Sequence, residues 1–211
     1  YNADDPKIKL KIDHTYRVAA LCERIAKAAG MCAYDVELAW LSGMLHDVGR
    51  FEQIKRYNTF SDADSVDHAK FGADLLFKDG LISTFLKGMV KCTGYKPGAL
   101  EDRYDSDGVF LYDRLNKSDM EMLELAIRCH NMYRIPQGLN CREQAFCNVL
   151  RDADKVDIFK VNIDTPLEEI YNTTTEELMK SDITDEVLEA FDEEHCILKA
   201  ITVSYTHLRA H

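Results

Sequence analysis

A chain of 211 residues, 46% hydrophobic and 30% charged, has the composition of an ordinary globular protein with one core. Its formal charge of −11 opposes nonspecific binding to nucleic acid polymers or to an anionic membrane surface. No apolar run approaches the ~20 residues that span a bilayer, and seven cysteines without a C-x-x-C pair indicate neither a disulfide framework nor a thiolate zinc site, so a reducing cytoplasm is the expected location.

The chain opens at Tyr1 rather than Met, which leads us to expect a missing N-terminal segment. Residues 203–211 read as the in-frame translation of a transposase sequencing adapter, so they are expected not to be native, and His207 and His211 enter no argument. Residues 1–202 then form one domain, with a core of about 14–160 and a helical extension over 165–202.

Nearly every segment has helical period, and no alternating strand run stands out. Asp13 is placed to cap a first helix over 14–29, closed by Gly30, with His14, Val18, Leu21, Cys22, Ile25 and Ala29 on one stripe. A second helix from Asp35 turns Val36, Ala39, Trp40 and Gly43 inward, and His46 and Asp47 continue that face into a glycine turn at Gly49. Residues 51–63 read as a polar loop. Asp64 or Ser65 is placed to cap a third helix to Lys78, with His68, Gly72, Leu75 and Leu76 on one side. A fourth helix spans 81–91. The turn-rich and acidic stretch that follows, to Asp107, is the longest irregular region and resembles a lid carrying Tyr95 and Tyr104. A helix from Ser118 aligns Leu123, Ala126, Ile127 and His130, and one over 141–160 aligns Leu150, Asp154 and Ile158. Two amphipathic helices over 165–202 carry no evident chemistry, and His195 sits among solvated acids.

Five helices thus bring His or Asp to the apolar side: His14, His46 with Asp47, His68, His130 and Asp154. Any one of them alone reads as a hydrogen-bonded core residue. Four imidazoles and two carboxylates together would badly destabilise a core that gave them no common purpose. No Lys or Arg lies on the inward face of the helix that ends at Asp47, so a cation from elsewhere should meet its carboxylate, and a metal ion is the expected one. Imidazole and carboxylate without thiolate suit Mn, Fe, Co, Ni, Zn or Mg chemistry. His14, His46, Asp47 and Asp154 are assigned to one ion, with Asp47 bridging to a second held by His68 and His130. Two such ions leave the site locally positive inside an acidic protein, which favours a small anionic substrate and supplies activated water near neutral pH.

The order His14, His46-Asp47, Asp154 on a helical chain resembles the HD-domain superfamily of metal-dependent phosphohydrolases, over residues 14–158. His68, Gly72 and Leu76 match the H-x-x-x-G-x-x-x-L of members that hold a second metal, and His130 stands where such members place another ligand. The resemblance implies an all-α HD-domain helical bundle with a C-terminal helical extension, a centre of one or two divalent ions, and hydrolysis of phosphoester or phosphoanhydride bonds in a small phosphorylated metabolite or nucleotide. Where the cyclic-dinucleotide branch has a paired histidine, this chain has His130-Asn131, and its Gly94-Tyr95-Lys96-Pro97 falls before His130 rather than after it. The acidic residues that guanosine-tetraphosphate hydrolases place after the doublet are replaced by Val48-Gly49-Arg50-Phe51. The same ligand pattern is shared by mixed-valent di-iron oxygenases, which the ligands alone do not separate from hydrolases. A non-catalytic HD module is the third reading, and a homo-oligomer is compatible with all three.

Among the remaining residues, Asp47 and Arg50 are the candidates for catalysis, Arg50 as a guanidinium fork on phosphate. Arg17, one turn beyond His14, and Lys155, beside Asp154, are candidates for substrate binding; Arg134 is a weaker one. Asp152 and Asp157 compete with Asp154 as the terminal ligand. Asp152 faces about 200° away round the helix, and Asp157 is placed to accept from a ligating histidine N–H.

Overall fold

The first helix starts at Pro6 rather than at His14. Asp5 caps it by accepting from the Lys7 amide at 2.8 Å, and Pro6 occupies the first turn, where a missing N–H leaves no helical bond unmade. Helix α1 (Pro6–Ala28) therefore carries two extra turns ahead of His14, and Asp13, expected as the cap, lies within it. This computed structural model describes residues 4–91, 115–164, 174, 176, 180 and 183–193, and every regular element among them is helical, as an all-α chain requires.

Helix α2 (Ala33–Leu45) packs along α1. The contact is close because Gly43 has no side chain: a Cβ there would fall 2.6 Å from Ala19 Cα. This brings the C-terminal end of α2, where His46 follows, against the helix that holds His14.

The segment expected as a polar loop is largely helical. Helix α3 (Val48–Tyr57) follows Asp47 directly and ends at Asn58 in the left-handed conformation, φ 54°. Besides Gly49, its buried residues are Val48, Arg50, Gln53 and Ile54. Two of those four are polar, so the apolar period that marks a helix is hidden. Gly49 is consequently no turn; it lies in the first turn of α3 and its value is close approach to α4. The true connection is 58–67, with a single 3₁₀ turn at Asp62–Asp64.

Helix α4 (His68–Ala73) is capped by Asp67, which accepts from the Lys70 amide, and not by Asp64 or Ser65. It widens into one π-type turn over Asp74–Lys78 before α5 (Leu81–Lys91). Helix α6 (Lys117–Cys129) opens on a reciprocal capping box between Asn116 and Asp119, and α7 spans Cys141–Asp164. The last described helix is α8 (Asp185–Asp192).

Contacts divide the chain into units 1–157 and 158–211. The core of the first unit is built from Val18, Leu38, Leu41, Leu45, Leu76, Leu123, Ile127, Phe146 and Leu150, among others, drawn from the helices that carry the candidate ligands. In the second unit α8 leaves Leu188 and Phe191 exposed. The expected lid with Tyr95 and Tyr104, His195, most of the 165–202 extension and the 203–211 tail lie outside the described residues. No described helix is long and apolar enough to cross a membrane.

Candidate metal centre

The six candidate ligands arrive mostly from helix ends. His14 projects from within α1, His46 and Asp47 form the joint between α2 and α3, His68 opens α4, His130 follows α6, and Asp154 lies in α7. All six are buried.

Each histidine is pinned by its Nδ1. That nitrogen of His14 lies 2.7 Å from Asp157 Oδ2, and that of His68 the same distance from Asp62 Oδ2. The Nδ1 of His46 reaches the Gly43 carbonyl and that of His130 the Ile127 carbonyl, both at 2.7 Å. Carboxylates and carbonyls only accept, so each Nδ1 is the protonated nitrogen and donates. The Nε2 of every neutral ring is then a bare lone pair.

Those lone pairs face one another. His14 Nε2 and His46 Nε2 are 3.4 Å apart, and His68 Nε2 and His130 Nε2 are 3.1 Å apart. Asp154 Oδ1 joins the first pair at 3.2 Å from His14 and 3.7 Å from His46. Asp47 divides its oxygens between the pairs. Its Oδ2 is 3.7 Å from both His14 and His46, while Oδ1 is 3.5 Å from His68 and 3.9 Å from His130. Donors about 2.0–2.2 Å from a shared ion lie roughly 3–3.6 Å from each other, so the spacing fits one cation within the first group and a second beside the other pair.

Electrostatics point the same way. Burial pushes His46 down, and drives His68 and His130 to about 4, so these rings are neutral near neutral pH. Burial and Lys11 oppose protonation of His14, but the carboxylates of Asp154, Asp157 and Asp47 prevail and raise it. Burial also opposes ionisation of Asp47 and Asp154. The neighbouring charges outweigh it and hold Asp47 well below the usual carboxylate range; His14, His46 and His130 do the same for Asp154. Asp154 meets no lysine or arginine among the described residues, only imidazoles. Asp154 is thus a buried carboxylate whose charge is met by imidazoles alone, with His46 and His130 among them held neutral by burial, and it calls for a cation. The donor set fits a divalent metal.

Asp47, by contrast, has a cation that sequence reasoning missed: Lys11 Nζ lies 2.9 Å from its Oδ2. Lys11 sits one turn before His14 on the same face of α1, and the Asp5-Pro6 start signal was the cue to a helix long enough to include it.

The basic residues expected at the substrate make other contacts as well. Arg50, the expected phosphate fork, lies on the buried side of α3. Its Nη1 donates to Gln53 Oε1, to the Phe60 carbonyl and to Asp62 Oδ1, so it grips the 58–67 connection. Its Nε is 3.8 Å from Asp47 Oδ1 and has no hydrogen-bond partner. Arg17 forms a two-pronged bridge to Asp157 at 2.7 and 2.9 Å, and so braces the acceptor of His14 instead of reaching for an anion. Lys155 and Asp152 are exposed, turned from the centre by their step round α7. Arg134 stacks on the Tyr133 ring. Asp157 holds the supporting position that its spacing implies.

Asp62 is the second residue that sequence reasoning missed. It accepts from Arg50, Gln53 and His68, with Asn131 at 3.4 Å, so one carboxylate ties α3 and the residue after His130 to a ligand ring. Asp62, Asp67 and His68 form a third acidic group, but His68 spends its Nδ1 there as a donor and keeps Nε2 for the centre.

A family model described as HD domain matches residues 12–201. Comparison with curated proteins and with solved structures gives no match.

Proposed function

Because this chain belongs to the HD-domain family, whose members are mostly metal-dependent hydrolases, we propose that it cleaves phosphoester or phosphoanhydride bonds of a small phosphorylated metabolite or nucleotide. The observation that carries this reading is the convergence of four Nε2 lone pairs on two carboxylates, each ring locked in that tautomer by an acceptor behind it. His14, His46, Asp154 and Asp47 Oδ2 would hold one divalent ion, and His68, His130 and Asp47 Oδ1 another. Ions bound there supply Lewis-acid charge and an activated water for in-line attack on phosphorus.

The chain's own groups do the rest. Asp157, Asp62 and the carbonyls of Gly43 and Ile127 keep a proton on every Nδ1, so each ring presents Nε2 throughout. Asp47, shared between the two groups, couples them in position. Burial of all six side chains keeps bulk water from competing for the centre. The described cysteines are all free thiols, in keeping with a cytoplasmic protein.

The test is elemental analysis of the purified protein, followed by a panel of phosphate esters and nucleotides with Mn, Co, Ni, Fe and Mg. Metal-dependent phosphate release is the expected result. Oxygen uptake with iron and no phosphate release would replace the reading with a di-iron oxygenase; protein that binds no metal would leave a non-catalytic module.

A further inference from the structure

Arg17 is tied to Asp157, and Arg50 is buried and holds the 58–67 connection through Nη1, which leaves a more exposed basic residue better placed to meet an anion. We propose that Lys11 binds the anionic group of the substrate, a phosphate or similarly compact anion, at the edge of the metal centre. This rests on the metal-centre reading above.

The position comes first. Lys11 Nζ lies 2.9 Å from Asp47 Oδ2, the oxygen turned toward His14 and His46, so an anion beside that group is within the ammonium's reach. Access comes second. The Lys11 side chain keeps 18% of its surface exposed, whereas the Arg50 side chain keeps 3%. Lys11 is thus a basic group that touches both the centre and solvent. Capacity comes third. An ammonium has three donors, and Asp47 is the acceptor that Lys11 meets among the described residues. Arg17, in contrast, uses Nε and Nη2 on Asp157, and Arg50 uses Nη1 on the Gln53, Phe60 and Asp62 oxygens while its Nε lies sealed from solvent beside Asp47 Oδ1.

The surroundings also hold Lys11 in place. Its Nζ is 5.3 Å from the centre of the Phe60 ring, and the Phe60 carbonyl is gripped by Arg50. Arg50 therefore acts at one remove, fixing the connection whose ring backs the lysine. A simple counter-charge for Asp47 would need neither the exposed edge nor unspent donors.

Isothermal titration of metal-loaded protein with inorganic phosphate, at fixed ionic strength, tests this. Lys11→Met keeps the length of the stem beside Phe60 and removes the charge; Lys11→Arg keeps the charge. The expected result is unchanged metal stoichiometry in both, phosphate affinity weakened about tenfold or more in Lys11→Met, and a much smaller loss in Lys11→Arg. Thermal melts of both variants check folding, and if Lys11→Met fails to fold, Lys11→Gln takes its place with the same expectation. Phosphate affinity equal to that of the unaltered protein would overturn the proposal, as would metal content falling in step with phosphate affinity. Hydrolysis of an ester with wild-type phosphate binding in Lys11→Met would sink this inference and leave the hydrolase reading standing. Phosphate binding that depends on Lys11, without hydrolysis of any ester, would do the reverse.

Discussion

Gly49 and Gly72 meet backbone to backbone where α3 crosses α4. A Cβ added at Gly49 would fall 2.8 Å from Gly72 N and collide with the His68 carbonyl oxygen, and one at Gly72 would fall 2.9 Å from Gly49 N. Neither glycine has a positive φ, so both are needed for space, not for a turn. The crossing sets the distance between Asp47, two residues before Gly49, and His68, at the start of α4.

Gly49→Ala should therefore injure the centre through its frame. Backbone cannot yield as a side-chain tip does, and overpacking of this kind costs about 1–3 kcal/mol or more. We expect a lower urea midpoint for the metal-free protein, together with loss of metal from the His68–His130 group before the His14–His46 group. Unchanged stability and full metal content in Gly49→Ala would refute the role given to the crossing.

Asp62→Asn tests the support of His68. The amide still occupies the space, but one oxygen that accepted from His68 Nδ1, Arg50 or Gln53 becomes a donor. Loss of such a partner typically lowers metal affinity about 10–100-fold. The loss should show in competition with a chromogenic chelator, confined to the weaker of two binding events; equal weakening of both would mean that Asp62 acts on the whole fold.

The cluster of candidate ligands was legible because His14, His46, His130 and Asp154 fall in helical register with apolar neighbours, and Asp157 falls one turn beyond Asp154. Helix α3 was not, since Arg50 and Gln53 occupy inward positions where the eye looks for leucine. Lys11 was hidden by a helix start placed at His14, although Asp5 and Pro6 spell out the earlier one. Asp62 had no periodic signal at all. It reaches His68 from an irregular connection, and only the packing of α3 against α4 decides that meeting.

Arg50→Ala should now act on stability more than on substrate affinity. The buried guanidinium donates to three oxygens, and its removal leaves Asp62 and the Phe60 carbonyl short of a donor. Loss of hydrogen bonds from a charged donor to such partly buried acceptors costs roughly 1.5–3 kcal/mol. A drop of that order in unfolding free energy, measured in urea on metal-free protein, is expected. A variant as stable as the parent but raised in KM would return Arg50 to the phosphate.

Acid should unfold the metal-free protein in two stages, and the sign follows from the direction of each shift. His68 and His130 are held by burial at about 4 in the native state against 6.5 in the unfolded chain. Between those values the unfolded chain takes up protons that the native one refuses, so stability falls as pH drops. His46 is lowered too and adds to the fall. His14 is raised, so its contribution is present below 6.5 and lost as pH rises through its native value; it offsets part of the loss from the other three rings. Asp47, Asp62, Asp154 and Asp157 are all depressed, so their stabilisation is intact above the ordinary carboxylate range of 3.8 and lost as pH falls through their native values. Urea midpoints of chelator-treated protein should therefore decline from about pH 6.5 toward 4 and drop again below it. His130→Gln should flatten the first stage and spare the second. A midpoint that holds steady or rises between pH 6.5 and 4 would show that these rings are not held neutral by burial, and with that the case for bare Nε2 lone pairs at the centre would fail.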